Sequence, residues 1–379
     1  MKNVRIGIIG LGVQGSLYAR LLTDKETKIE GLELSCICSS KETLPIEVPD
    51  SVKVFKDYKQ LFRSGLCDSI VICVPHIMHM KIAEEALRNG IHVLCEKPAA
   101  IKASEMKKVK KLLENKDLCF AMMFNNRANP VYEKAHELLQ KKELGELRNI
   151  RWNIDSFWRP DTYYASASWR GNFQKEGGGI LVNQIAHQLD LLLHLGGEPS
   201  FVHSSLYEGR YRNIDVENEV YIDLLFKNGA SGFLSAKTYD PFGGNLLEIV
   251  CSKGKIVIEN NASMKIIKLK KDESEMNSSY TFRQLYTLKK EGPASLYDEE
   301  NIDLSSSSMD HYRKIFCNFA NHILYDEPLI ASFEDGLRQV EFANSIYESA
   351  WKDKTITFPG NEEDYDKLLQ NKIEKEIAM

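Results

Sequence analysis

The sequence has few cysteines, no long apolar run and no dominant sign of charge. No apolar stretch approaches the ~20 residues that a membrane helix requires, so we expect no membrane partner. Met1–Arg5 leads directly into the apolar run Ile6–Ile9, which leaves no room for a signal peptide. The eight cysteines form no CxxC pair, and several lie inside apolar runs, where a thiol is usually a small buried hydrophobe. These features favour a reduced, cytoplasmic location.

The charge is nearly balanced, because 49 Lys and Arg residues face 54 Asp and Glu residues, for a net charge of −5. That balance offers no electrostatic argument for a nucleic-acid partner. No internal repeat is visible. A length of 379 residues predicts two domains, and the 43% apolar content is sufficient for full cores without disulfides.

The first third of the chain alternates strands and helices. Short β-branched runs predict parallel strands, which alternate with amphipathic helices: Val4–Ile9, Leu32–Cys38, Ser69–Val74, His92–Leu94 and Leu118–Met123, with helices at Val13–Asp24, Met78–Asn89 and Ala103–Asn115. Repeated β-α-β units form a parallel sheet that is covered by helices on both faces. We therefore predict an α/β fold with a doubly wound, Rossmann-type domain over residues 1–125.

The pattern changes after Asn126, where we predict an α+β domain over residues 126–379. A long apolar helix, Gly179–Leu195, is followed by alternating strands that indicate a mostly antiparallel sheet: Phe201–Tyr207, Glu219–Phe226, Ala230–Thr238, Leu246–Cys251 and Lys255–Glu259. The polar stretch Lys270–Ser308 is interpreted as a mobile surface segment. A helix over 333–351 is expected to pack back toward the first domain.

A glycine-rich loop joins the first predicted strand to the first predicted helix. Gly10-Leu11-Gly12-Val13-Gln14-Gly15 fits G-x-G-x-x-G in the strand–helix context that the motif requires. Gly10 permits the tight turn, Gly12 lets the backbone approach a pyrophosphate, and Gly15 allows the helix to pack on the strand. The N–H groups of the helix N-terminus then face the anion. The alternative, a plain glycine-rich turn, is less favoured by this context.

The end of the second strand bears on the choice between NAD and NADP. NAD enzymes place a carboxylate there to bind the ribose diol. This chain has Ser39, Ser40 and Lys41, with no acid before Glu42. Hydroxyl and ammonium groups suit a 2′-phosphate, so NADP is favoured over NAD. The alternative is a solvated loop in which Glu42 or a backbone group binds the diol.

Two further segments carry polar side chains where a ligand is expected. Lys97, in Cys95-Glu96-Lys97-Pro98, follows a predicted strand and should lie at the carboxyl edge of the sheet. Helical spacing places Asn183, His187, Asp190 and His194 on one face of the apolar helix. By spacing alone, a polar stripe in a buried helix is either a ligand site or a structural hydrogen-bond network. His194 is interpreted as a structural residue near the helix C-terminus. Asp190 either orients His187 or holds the second domain. A metal site at His187, Asp190 and His194 is the less favoured alternative, so no metal is predicted.

The sequence resembles the glucose–fructose oxidoreductase/inositol dehydrogenase (Gfo/Idh/MocA) family over nearly its whole length. The resemblance rests on the Gly10–Gly15 loop, on Val74-Pro75-His76-x-x-His79, on Glu96-Lys97-Pro98, and on three glycines that lead into Asn183-x-x-x-His187-x-x-Asp190. It implies a second domain with a large open sheet that often forms the oligomer interface, hence a homodimer or homotetramer. It also implies NAD(P)-dependent redox chemistry on a sugar, cyclitol or related polyol.

The resemblance also carries residue roles. Lys97 would lie near the nicotinamide and the reacting hydroxyl, and His187 at the substrate. Asn183 replaces the family's Asp, so a proton relay through a carboxylate at that position is in doubt. The residues expected to contact cofactor are Gly10, Gly12, Val13, Gln14, Gly15, Ser39, Ser40, Lys41, Val74, Pro75, His76, His79, Glu96, Lys97, Trp169 and Arg170. Those expected to contact substrate are Asn125, Asn126, Arg127, Arg159, Tyr163, Tyr164 and Asp190.

The sequence therefore predicts a dehydrogenase that transfers a hydride between nicotinamide and a ring hydroxyl or ketone. His187 is the natural general base, Lys97 would stabilise charge on the same oxygen, and Asn183 would orient the substrate; the roles of Lys97 and His187 could be exchanged. Two alternatives remain open. One is redox-neutral glycoside cleavage through a transient keto-sugar with tightly bound NAD, and the other is a non-catalytic sensor on a dehydrogenase fold.

Overall fold

The computed structural model describes residues 3–24, 29–114, 117–292 and 295–378. Its first sheet has six parallel strands in the order β3-β2-β1-β4-β5-β6. The strands are β1 Val4–Ile9, β2 Leu32–Cys38, β3 Lys53–Phe55, β4 Ser69–Ile72, β5 His92–Cys95 and β6 Phe120–Met122. The helices between them are α1 Val13–Thr23, α2 Tyr58–Arg63, α3 His79–Arg88 and α4 Ala103–Leu113. β4 is buried along its whole length, as a central parallel strand should be.

The second sheet has nine strands in the order β14-β13-β12-β11-β7-β10-β9-β8-β15. β10 pairs in parallel with β7, and the other neighbours are antiparallel. The strands are β7 Leu147–Ile154, β8 Pro199–Glu208, β9 Glu217–Phe226, β10 Ser231–Lys237, β11 Asn245–Cys251, β12 Gly254–Glu259, β13 Ser263–Leu269, β14 Tyr297–Asp303 and β15 Ile356–Thr357. This architecture confirms the predicted fold class.

The helices of the second part of the chain are α5 Pro130–Gln140, α6 Asp161–Tyr164, α7 Ala186–Gly196, α8 Glu273–Ser279, α9 Phe282–Glu291, α10 Ser308–Tyr325, α11 Phe333–Lys352 and α12 Glu362–Ala378. One face of the large sheet packs on α7 and α11. Along β7 the side chains of Ile150, Trp152 and Ile154 are buried, whereas Arg151 and Asn153 point away from the core. Within the described residues, no helix is both long and apolar enough to cross a bilayer.

The single long helix expected over 179–195 is wrong in its first turn. Ile180–Gln184 forms a π-helical turn, and α7 begins only at Ala186. Two contacts explain the break. The buried Glu217 carboxylate accepts hydrogen bonds from the backbone N–H groups of Gly179 and Leu181, each at 3.0 Å, and the carbonyl of Asn183 accepts one from Lys97. The first turn is thus shaped by partners outside the helix.

The stretch expected to be a mobile surface segment, Lys270–Ser308, contains regular structure. α8, α9 and the edge strand β14 lie there, although residues 293 and 294 fall outside the described residues. β14 pairs with β13 from Tyr297 to Asp303, and most of its side chains are exposed. An edge strand exposed on both faces has no alternating pattern, so it is indistinguishable from a polar loop in the sequence.

Two late helices pack against the first domain, and one of them, α11, also reaches the large sheet. On α10, Ile315, Phe316 and Phe319 join the hydrophobic core that contains Tyr18 and Ile8 of the first domain. α11 begins against β6, where Phe333 and Phe120 pack with ring centroids 4.9 Å apart, and continues across the large sheet. The boundary between residues 125 and 126 stays a prediction, because the C-terminal third contributes to both cores.

Candidate active site

The loop between β1 and α1 is shaped to receive a dinucleotide. Gly10 has φ +99°, and a Cβ there would lie 2.5 Å from the carbonyl oxygen of Cys73. A Cβ at Gly15 would lie 1.9 Å from the carbonyl oxygen of Gly10, whereas one at Gly12 would meet nothing within 4 Å. Gly12 is the N-cap of α1 and provides no side-chain capping bond, and the side chain of Val13 is 92% exposed. The helix N-terminus is therefore open to an anion.

The loop after β2 places hydroxyl groups and cations together. Ser39 is buried, and its Oγ accepts a hydrogen bond from the Lys41 backbone at 3.3 Å. Ser40, Lys41 and Glu42 are exposed. Lys56, just beyond β3, donates from Nζ to the Lys41 carbonyl. Two lysines thus flank the strand ends where the adenosine ribose of a dinucleotide would lie.

Lys97 crosses from the edge of the first sheet to the second domain. Its Nζ donates a 2.7 Å hydrogen bond to the carbonyl oxygen of Asn183. Burial lowers its pKa, and the charges of Glu96 and Glu176 oppose this shift. Glu96 is held by Tyr18 and by the Lys97 backbone N–H, so it supports the turn. Gln14 in turn donates to the Tyr18 hydroxyl at 2.8 Å.

The histidines of the first domain are engaged with the backbone. His79 is fully buried, and its two ring nitrogens contact the carbonyl oxygens of Pro98 and Val74, each at 2.8 Å. It therefore positions the turn that carries Lys97 and has no nitrogen left for a ligand. His76 lies 3.2 Å from the Glu176 carbonyl through Nδ1, and Pro75 caps its short 3₁₀ turn.

His187 presents an unpaired nitrogen near Lys97. Its Nδ1 is buried and has no hydrogen-bond partner among the described residues. Its ring lies edge-on to Phe124 at 6.2 Å. Burial, together with the charge of Lys97, lowers the pKa of His187 well below its ordinary value. The imidazole is consequently neutral near pH 7.

Glu176 is a candidate functional residue that the sequence reasoning missed. It is buried, and its carboxylate accepts hydrogen bonds from Asn183 Nδ2 at 2.5 Å and from the Gly171 backbone at 2.6 Å. Burial raises its pKa, and the charges of Arg170 and Lys97 lower it. Asn183 has no charge, but the carboxylate it touches supplies one. The available signal was an acidic residue, Glu176, directly before the three glycines that lead into the segment with Asn183.

An aromatic and basic cluster lies beside Asn183. The Tyr163 hydroxyl is 3.3 Å from Asn183 Nδ2. The guanidinium carbons of Arg159 and Arg170 lie 4.7 and 4.2 Å from the Tyr163 ring centroid. The guanidinium carbon of Arg170 also lies 4.4 Å from the Trp169 ring centroid. The Trp169 ring in turn packs edge-on against His76, with ring centroids 5.8 Å apart. The Tyr164 hydroxyl lies 3.3 Å from Thr238 Oγ1, and its ring packs edge-on against that of Tyr163. Tyr164 therefore supports the cluster through Tyr163.

The segment after β6 is divided between the site and the protein interior. Asn125 is buried with an unpaired Oδ1, and Asn126 is half-buried in the same 3₁₀ turn. Arg127, however, donates to both oxygens of Asp190, at 2.8 and 2.6 Å, and contacts Asp335 at 3.1 Å. Arg127 and Asp190, both expected to contact substrate, are paired with each other. We therefore assign them to the contact between the two domains.

His194 lies away from Asn183, in the contact between α7 and α5. Its ring stacks on that of His136 with centroids 3.9 Å apart. The break at Ile185 means that Asn183 and His194 do not share one continuous helical face. Among the described residues, no three His, Cys, Asp or Glu side chains converge as metal ligands would.

Comparison with known proteins identifies both domains. Residues 4–124 match the model of an oxidoreductase family with an NAD-binding Rossmann fold, and residues 132–257 match the C-terminal domain of the same Gfo/Idh/MocA proteins. This chain belongs to the Gfo/Idh/MocA oxidoreductase family. The assignment confirms the resemblance on which the predicted activity rests.

Three named dehydrogenases are similar to this chain. Levoglucosan dehydrogenase of Pseudarthrobacter phenanthrenivorans is 26% identical over 95% of this chain and 99% of its own. Myo-inositol 2-dehydrogenase of Thermotoga maritima is 24% identical over 74% of this chain and 82% of its own. The WlbA dehydrogenase of Bordetella pertussis, solved with NADH and UDP-GlcNAcA, superposes with a TM-score of 0.78 at 20% identity, covering 95% and 99% of the chains. At that identity the superposition shows the shared fold.

Proposed function

We propose that this Gfo/Idh/MocA protein is a nicotinamide-dependent dehydrogenase acting on a ring hydroxyl of a sugar, sugar derivative or cyclitol. The observation that carries the proposal is the hydrogen bond from Lys97 to the Asn183 carbonyl. It joins the turn at the edge of the Rossmann sheet to the π-helical turn that holds Asn183, directly before the helix that carries His187. The named dehydrogenase relatives support the substrate class.

The residues divide the chemistry between them. A bound nicotinamide would supply the hydride acceptor for the carbinol carbon, or the hydride donor in the reverse direction. His187 accepts the hydroxyl proton, since its Nδ1 has no other partner. Lys97 donates a hydrogen bond to the same oxygen and stabilises the charge that develops on it. Asn183 and Tyr163 orient the substrate, and Glu176 holds Asn183 in place.

The test is a thermal-shift screen with NAD and NADP, each combined with sugars, polyols and sugar nucleotides, followed by turnover assays on the ligands that raise the midpoint. A dehydrogenase accumulates free reduced nicotinamide, which is followed by its absorbance. Product formation with no net reduction of nicotinamide would instead indicate redox-neutral glycoside cleavage. A protein that binds cofactor but leaves the entire panel unreacted would favour the sensor.

We propose NADP as the preferred cofactor. Ser40, Lys41 and Lys56 surround the strand ends, and no carboxylate precedes Glu42 in that loop. The variant Lys41→Glu should raise the dissociation constant for NADP by about tenfold and leave that for NAD unchanged or lower. Titration of both cofactors by fluorescence checks this. Equal effects on the two cofactors would contradict a 2′-phosphate contact.

We propose that this chain forms a homodimer or homotetramer through the open face of the nine-stranded sheet. Phe201, Tyr207, Tyr221 and Leu246 are each about two-fifths exposed on its strands, at 39%, 42%, 38% and 38%. Tyr221→Arg should dissociate the oligomer, because it places a charge among these apolar side chains. Light scattering coupled to gel filtration measures the mass. A monomeric unmodified protein would overturn this part of the proposal.

A further inference from the structure

The candidate active site holds three cations but only two carboxylates among the described groups whose charges act most strongly on Lys97. Lys97, Arg159 and Arg170 lie around Asn183 and Tyr163, and the charges of both arginines lower the pKa of Lys97. The two nearby acids are Glu96 and Glu176. Both already accept hydrogen bonds from the protein, Glu96 from Tyr18 and Glu176 from Asn183 and the Gly171 backbone.

The two guanidinium groups have donors to spare. Neither Arg159 nor Arg170 forms an ion pair within the described part of the chain, and the buried Nε of each has no hydrogen-bond partner there. Arg170 donates from Nη1 to the Tyr163 hydroxyl, and Arg159 donates from Nη1 to the Trp158 carbonyl at 3.1 Å. Half-buried arginines without an anion are costly, and each guanidinium offers a planar pair of donors that fits carboxylate or phosphate oxygens.

The cluster is also held rigid before any ligand arrives. Both guanidinium groups pack against the Tyr163 ring, and Arg170 packs against Trp169 as well. The Tyr163 hydroxyl is fixed by Asn183 and by Gln184 at 3.2 Å. Such packing reduces the ordering cost of binding and favours a fixed recognition site over a mobile surface charge.

We propose that the substrate is an anion, a sugar derivative with a carboxylate or phosphate group that Arg159 and Arg170 bind while Lys97 and His187 act on a ring hydroxyl. This inference rests on the proposed dehydrogenase function and narrows its substrate class. The pyrophosphate, which joins the two halves of the dinucleotide, is expected at the Gly10–Gly15 loop, and Arg170 is expected to contact the cofactor. The substrate anion is therefore assigned first to Arg159, for which no cofactor contact is expected.

The experiment uses matched substrates with the full-length enzyme. Hexoses of gluco, galacto and manno configuration are each compared with their uronate and their 6-phosphate, with NAD and with NADP. Reduction of nicotinamide gives kcat/KM, and calorimetric binding in the presence of reduced cofactor gives a second readout. We expect the uronate or the phosphate of at least one configuration to exceed its neutral parent by about tenfold or more in kcat/KM and in affinity. The two arms distinguish carboxylate from phosphate.

The variant Arg159→Gln should remove most of that preference. It should raise the KM for the anion by about tenfold or more, and the loss in kcat/KM should be at least about fivefold larger for the anion than for a neutral sugar. Arg283→Gln is the matched control, since Arg283 is exposed on the surface helix α9. Equal losses on charged and neutral substrates in Arg159→Gln would overturn the inference.

The outcomes separate this inference from the function on which it rests. Turnover of neutral sugars in preference to every anionic partner would overturn the inference and leave the dehydrogenase in place. Binding of anions that depends on Arg159, with no redox reaction on any compound, would support the anion site and overturn the proposed activity. Neither binding nor turnover of any panel member would overturn both.

Discussion

Lys97 and His187 come from different parts of the chain, yet the charge of Lys97 acts on His187 and lowers its pKa. His187 is neutral because burial makes its charged form costly. Lys97 is also penalised by burial, but Glu96 and Glu176 favour its charged form. A neutral acceptor and a supported cation can therefore coexist beside one substrate oxygen.

Replacing either residue should affect chemistry more than cofactor binding. Lys97→Met and His187→Ala are each expected to lower kcat by on the order of 10²-fold or more, because each removes a group that acts on the reacting oxygen. Cofactor affinity, measured by fluorescence titration, should be largely kept. Near-normal turnover in both variants would refute the assignment.

Glu176 should act on the charge state of Lys97. In Glu176→Gln the carboxylate that favours the Lys97 ammonium is lost, so the pKa of Lys97 falls further. If the ammonium is the active form, activity is lost as pH rises through that pKa, and the alkaline limb of the kcat/KM profile should move to lower pH. The double variant Glu176→Gln/Asn183→Asp returns a carboxylate to the same place and should move the limb back. A lower kcat with an unmoved profile would mean that Glu176 has only a structural role.

At the scale of elements, we expect two glycines of the β1–α1 turn to have different roles: Gly15 is needed for folding and Gly12 for cofactor binding. A side chain at Gly15 would collide with the Gly10 carbonyl, whereas one at Gly12 would enter open space at φ −77°. Gly12→Ala should keep the melting temperature of the free protein and weaken dinucleotide binding by about tenfold or more, while Gly15→Ala should lower the melting temperature itself. Unchanged cofactor affinity in a folded Gly12→Ala protein would place the pyrophosphate elsewhere.

The stacked pair on α5 and α7 should make stability sensitive to acid. Burial lowers the pKa of His194 to about 3, so the unfolded chain takes up a proton below about pH 6.5 while the folded chain does not. Stability is therefore lost as pH falls from about 6.5 toward the folded pKa. His194→Asn should reduce the loss between about pH 7 and about pH 5 by about 1 kcal/mol, allowing for partial exposure. Urea unfolding of both proteins at both pH values gives the free energies of unfolding. The same loss of stability between the two pH values in His194→Asn and in the unmodified protein would contradict the prediction.

At the scale of the whole molecule, Arg127 connects the two sheets. Its guanidinium joins Asp190 of α7 to Asp335 of α11, with side chains 6%, 2% and 22% exposed. Arg127→Met leaves the buried Asp190 carboxylate without its ion-pair partner and removes one of the partners of Asp335, which keeps its hydrogen bonds from Ser332. The variant should lower the free energy of unfolding by about 3–5 kcal/mol. The control is Arg5→Met, whose pair with Asp68 is 43% and 38% exposed and should contribute about 0–1 kcal/mol. Similar losses in both variants would remove the special role of Arg127.

Much of the fold could be predicted because its patterns are local. The parallel strands are continuous apolar runs, the strands of the large sheet alternate, and the glycine loop stands between a strand and a helix. β14 was missed because an exposed edge strand has no such pattern. The π-helical turn was missed because it depends on Glu217 and Lys97, which lie 38 and 86 residues from the backbone groups they bind.

The sequence by itself determined the fold class, the cofactor loop and the presence of Lys97, Asn183 and His187, since these follow from short-range periodicity and motif spacing. Only the tertiary structure decided which partners the polar residues have. It paired Arg127 with Asp190 and His194 with His136, left Arg159 and Arg170 without an ion pair in the described part of the chain, and brought Glu176 to Asn183. The physical reason is that a buried charge or donor is defined by its partner, and partners are chosen by packing across the two domains.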